Sequence, residues 1–188
     1  MISLLIFPVG ILIAIFPQEI LMLWTRDPGI GENTRLLLRL VIVGYLLNAT
    51  VTMPYMLQLA YGSTSLAFYK NMVAIIILIP LLFLLIHYLG TAGGAVTWLI
   101  LNAGYLLFEI PLMHRRLINH EIWHWYIVDV GLPVACYVIV GLILKIYFTN
   151  TVTTMMRLIA LTTAFSSMFI ACALALPFSR VYLRKVIL

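Results

Sequence analysis

The chain has 188 residues, 64% of them hydrophobic and 9% charged. A soluble domain carries roughly 25% charged residues, and no soluble fold covers so much apolar surface, so the composition predicts lipid as the solvent. The net charge of +5 is spread among apolar runs, a pattern that sets membrane topology and excludes a nucleic-acid site. Cys136 and Cys172 are isolated in apolar runs and make neither a disulfide framework nor a metal site.

A spanning helix needs about 20 mostly apolar residues. Six stretches qualify: residues 3–24, 36–60, 66–88, 92–113, 126–148 and 155–177. The expected fold is therefore all-α, one integral membrane bundle over residues 1–188, with no soluble domain. The first run is too long for a signal-peptide core and has no basic region before it. It ends near Glu19, predicted at the far interface. "TRDPGIGENTR" (25–35) then reads as a polar loop, with Asp27-Pro28-Gly29 as its turn signal. The second span carries Arg39 at its start and Asn48, Tyr55 and Gln58 at spacings of seven and three, which places the last three on roughly one helix face.

"GSTS" (62–65) turns into the third span, which opens with Lys70 and Asn71. "GTAGGA" (90–95) opens the fourth with small residues suited to close helix packing. That span also holds Asn102 and Glu109, the deepest acid. An intramembrane carboxylate suggests a proton or ion site; the competing reading is an interfacial acid paired with Arg115 or Arg116. Asp129 follows the Trp123/Trp125/Tyr126 aromatic belt and is expected to cap the fifth helix. Asn48, Gln58, Asn71 and Asn102 either bond between helices or line a hydrophilic cavity. Each span contains proline, at Pro8 with Pro17, Pro54, Pro80, Pro111, Pro133 and Pro177. A kink is expected at each, as in a transporter that bends.

With six spans both termini share a side. Lys70, Arg115, Arg116, Arg180, Arg184 and Lys185 fall there, against Arg26, Arg35, Arg39, Lys145 and Arg157 opposite; the excess puts both termini in the cytoplasm. "HEIWH" (120–124) matches the zinc-protease helix motif. It stands between a basic edge and an aromatic belt with only Asp129 to offer as a third ligand, so a metal site and an intramembrane zinc protease are disfavoured.

"PYMLQLAYGSTSLAFYKNMVAIIILIPLLF", "GTAGGAVTWLILNAGYLLFEIPLMHRRL" and "WYIVDVGLP" resemble the C-terminal part of bacterial polysaccharide flippases. These are the O-antigen and lipopolysaccharide transporters of the MATE-like multidrug/oligosaccharidyl-lipid/polysaccharide superfamily. "FPQEILMLWTRDPGI" is similar to a helix end and loop of that family, and the resemblance spans about residues 8–133. It places "HEIWH" in a variable segment. It implies an incomplete MATE-like bundle lacking the first of two pseudo-symmetric halves and the opening helices of the second. The implied role is translocation of lipid-linked oligosaccharide repeat units across the bacterial inner membrane, with no bond made or broken and no cofactor.

The expected partners are the lipid bilayer, a polyprenyl-pyrophosphate-linked oligosaccharide, and a separate N-terminal bundle or polysaccharide-assembly proteins. Asn48, Tyr55, Gln58, Asn71, Asn102 and Arg39 are then candidates for the substrate path, Arg39 for a pyrophosphate or anionic sugar. Glu109 is the candidate for ion coupling. The competing functions are a drug/cation antiporter of the same superfamily and a non-transporting assembly subunit.

Overall fold

Prolines mark where several of these helices start and change pitch. A computed structural model describes residues 2–62, 64–117 and 125–148, with isolated positions at 162, 163, 165, 166 and 170. Among the described residues every regular element is helical. The elements are α1 (Ile2–Ile15), α2 (Pro17–Thr25), α3 (Pro28–Ala60), α4 (Thr64–Leu89), α5 (Thr91–Gly104), a π-helical segment (Tyr105–Glu109), α6 (Ile110–Leu117), a second π segment (Trp125–Gly131) and α7 (Leu132–Phe148). The chain divides into two compact units.

One unit gathers the described residues up to Asn33 and those from Tyr126 onward. The stretch expected as a first span is broken rather than continuous, because α1 and α2 meet at 88°. Pro17 at the start of α2 has no N–H to donate to the preceding turn, and Phe16 leaves helical geometry at φ −115° and ψ 45°. Glu19 stands in the first turn of α2, where a negative charge suits the helix dipole. The break exposes carbonyls at the end of α1. Lys145 from α7 donates its ammonium to one of them, the Ile15 carbonyl, at 2.8 Å. Phe7, Ile11 and Tyr137 are buried where α1 packs on α7.

The polar loop expected over residues 25–35 shrinks to Arg26 and Asp27. Arg26 takes a left-handed φ of 58° and donates its N–H to the Met22 carbonyl, ending α2. Asp27 Oδ1 accepts the Gly29 N–H at 2.8 Å, so Asp27-Pro28-Gly29 is a helix start with Pro28 in the first turn, not a free-standing turn. A polar segment forms helix here because its cap and its proline both favour one.

The other unit runs from Thr34 to Trp125. α4 and α5 form a tight antiparallel hairpin about Gly90, whose φ is 58°. Gly93 is the glycine this hairpin needs: a Cβ there would strike the Leu85 carbonyl, whereas one at Gly94 would meet nothing. The close packing expected of "GTAGGA" thus rests on one residue. Gly44 of α3 likewise lets the Trp98 indole approach, since a Cβ would lie 2.5 Å from the ring. Val51, Ala67, Ala95, Ile110 and Met113 fill the interior. α4 shows the reverse pattern, with Phe68, Val73, Ile76, Ile79 and Phe83 all exposed.

Among the described residues three helices are long and apolar enough to cross a membrane, Gly29–Ala60, Ala67–Leu89 and Thr91–Met113, or four if the bent pair α1–α2 counts as one. Leu132–Ile146 is apolar but shorter. The expected span at 155–177, with Cys172 and Pro177, lies outside the described helices, as does "HEIWH". The prolines divide by role. Pro17 and Pro28 start helices, Pro8, Pro54 and Pro80 lie inside them, and Pro111 and Pro133 each follow a π segment by two residues.

Candidate functional site

Polar side chains in the unit from Thr34 onward collect in two places. The first joins α3 to α5. Asn48 donates its amide to Asn102 Oδ1 at 2.9 Å, and Asn102 donates its own to the Trp98 carbonyl at 2.8 Å. Asn102 is fully buried, so each amide meets a need that water cannot. The Trp98 indole, stacked at a tilt on Tyr45, leaves its buried N–H without a partner among the described residues.

The second collection is built around a charge pair. The Lys70 ammonium of α4 donates to Glu109 Oε1 at 2.6 Å. Their side chains are 16% and 4% exposed, so the carboxylate is almost wholly withdrawn from solvent while the ammonium keeps an opening. Aromatic rings flank the ammonium, Tyr55 from α3 at 4.5 Å and Tyr105 from the π segment at 4.4 Å. Such ring faces attract cations. The Tyr105 hydroxyl in turn donates to Asn71 Oδ1 at 3.2 Å, at the exposed margin. Glu109 Oε2 has no hydrogen-bond partner among the described residues and is buried.

Local backbone chemistry places Glu109. Pro111 cannot donate an N–H to the turn before it, and the helix widens just upstream: the Ile110 N–H reaches back to the Tyr105 carbonyl, the five-residue bond of a π turn. Single π turns inside α-helices often occur at functional sites. Here the turn carries both Tyr105 and Glu109. Beside the pair runs a groove of about 510 Å³ between α4 and α5, lined by Val73, Ile77, Leu81, Ile100 and Leu101 and bordered by Lys70 and Glu109.

The residues singled out in the sequence thus separate. Asn48 and Asn102 meet each other, and Tyr55, Glu109 and, through Tyr105, Asn71 meet at Lys70. Gln58 is fully buried on α3, one turn beyond Tyr55. Arg39 is exposed, nine residues before Asn48 on the same helix. Of this set only Glu109 borders the groove. Glu109 is ion-paired with Lys70 across the hairpin; the side chains of Arg115 and Arg116 are not among those described. In the sequence Lys70 reads only as a topology charge. The signal that points to it is its position, within one residue of the same separation from Gly90 as Glu109, which an antiparallel hairpin brings level.

Comparison with protein-family models, with curated proteins and with solved structures finds no match.

Proposed function

We propose that the chain is an inner-membrane transport protein, the C-terminal part of a bacterial polysaccharide flippase that moves lipid-linked oligosaccharide repeat units across the bilayer. The observation that carries the reading is the Lys70–Glu109 pair with its two tyrosines, set among largely apolar helices. A charge pair costs several kcal/mol to take out of water, so ionisable groups at membrane depth mark ion and substrate paths. The π turn under Glu109 and the Asn48–Asn102 bond add to that support. The sequence resemblance supplies the cargo class. On this reading all six apolar stretches span the membrane, both termini are cytoplasmic, and a further helical bundle completes the cavity, as alternating access between two repeats requires. Glu109 couples an ion or proton to the cycle, and Gln58, Asn71 and Arg39 belong to the path.

A drug/cation antiporter is the second reading, and the burial of the Glu109 carboxylate favours it. A complementation assay separates the two. The chain, joined to a first bundle from a polysaccharide flippase, is expressed in a strain lacking its own. Surface polysaccharide returns if the flippase reading holds, and falls with Glu109→Gln or Gln58→Leu at equal protein level. Cation resistance without surface polysaccharide establishes the antiporter instead. Full activity of both variants removes the assigned sites while leaving the cargo class standing.

A further inference from the structure

Tyr55, Tyr105 and Glu109 make the kind of enclosure that binds organic cations. Two ring faces stand 4.5 and 4.4 Å from one point, and a carboxylate oxygen lies 2.6 Å from it. Aromatic faces with a nearby acid are how proteins recognise ammonium ligands. Here the point is held by the chain's own Lys70. We infer that the three residues form a binding cage for organic monocations of the ammonium class, and that Lys70 plugs it from within. Lys70 is then a specificity-determining residue: it denies the cage to outside cations.

Three features support a plug over an ordinary structural ion pair. The Lys70 side chain is 16% exposed, against 4% for Glu109, so the cage has an approach on the lysine side. Lys70 also borders the groove between α4 and α5, which gives a small amphiphilic cation a route to the same place. Finally, Glu109 Oε2 is buried without a hydrogen-bond partner among the described residues, leaving an acceptor that the lysine does not use. The inference needs only the cage and holds whatever the cargo.

Removing the plug tests it. Lys70→Ala deletes three methylenes and the ammonium, the same atoms that n-propylammonium supplies. Calorimetric titration of the full chain in detergent micelles should show n-propylammonium binding Lys70→Ala at least tenfold more tightly than the wild type. n-Propanol, which has the shape without the charge, should not bind. Lys70→Met, which refills the space without charge, should bind no amine, and adding Glu109→Gln to Lys70→Ala should abolish the gain. Equal binding by wild type and Lys70→Ala overturns the proposal, as does affinity that survives Glu109→Gln. If Lys70→Ala is recovered only as aggregate, it is purified with n-propylammonium or n-propanol throughout. Recovery with the amine alone supports the cage, and equal failure in both overturns it.

Discussion

Replacing Lys70 by Met should cost more stability than replacing Glu109 by Gln, although the two share one bond. Lys70→Met strands a carboxylate whose side chain is 4% exposed. Breaking a buried pair from one side leaves an uncompensated charge and costs about 3–5 kcal/mol. Glu109→Gln strands the ammonium instead, but the ammonium is 16% exposed and keeps both ring faces. Its loss is nearer that of one charge-assisted hydrogen bond, about 1.5–3 kcal/mol. The double variant leaves neither charge. Uncharged replacements of similar volume are often close to neutral, so the cycle should show coupling of about 4.5–8 kcal/mol, the two single losses together and above the ~0.5–3 kcal/mol usual for residues in contact. Unfolding of the four proteins in mixed micelles, followed by far-ultraviolet circular dichroism, supplies the values. Additivity to within about 0.5 kcal/mol would refute the pair as an energetic unit. A larger loss for Glu109→Gln than for Lys70→Met would refute the role given to the tyrosines.

Other substitutions probe the packing around the site. Gly44→Ala puts a Cβ 2.5 Å from the Trp98 ring and should cost about 1–3 kcal/mol by overpacking; Trp98→Leu in the same chain should recover much of it in thermal melts. Asn102→Leu removes the acceptor of the Asn48 amide and should cost about 0.6–1.7 kcal/mol, the range for bonds between helices in lipid. Adding Asn48→Leu should then cost less than it does alone. Lys145→Met uncaps the Ile15 carbonyl at about 1–2 kcal/mol. It should speed amide exchange around Phe16, with Lys145→Arg retaining protection.

The helices were legible because apolar length and proline placement are local properties. The break between the third and fourth apolar stretches, where the hairpin turns at Gly90, follows from apolar length alone. The helix over residues 28–35 was hidden, because polar residues read as loop until Asp27 is seen to cap Gly29. The partner of Glu109 was hidden for a different reason. Arg115 and Arg116 are close in sequence, whereas Lys70 is 39 residues away, and only the register of the hairpin shows that it is closer in space. The π turn was also out of reach. Pro111 announces a missing hydrogen bond, but whether the helix kinks, ends or widens depends on what the neighbouring side chains gain. Here widening sets Tyr105 against the ammonium and Glu109 beneath it.

The bond from Lys145 to the Ile15 carbonyl carries a consequence for the order of events during synthesis. The two residues are 130 positions apart. At 5–20 residues per second, a ribosome takes about 6–26 s to travel that far. Throughout that time the bend at Phe16 exists without its cap, and the carbonyl at the end of α1 needs another donor. Water is the obvious one. Until α7 is made, the Ile15 carbonyl is satisfied only where water or another donor reaches it. The bend between α1 and α2, made before α7, is thus completed only after it.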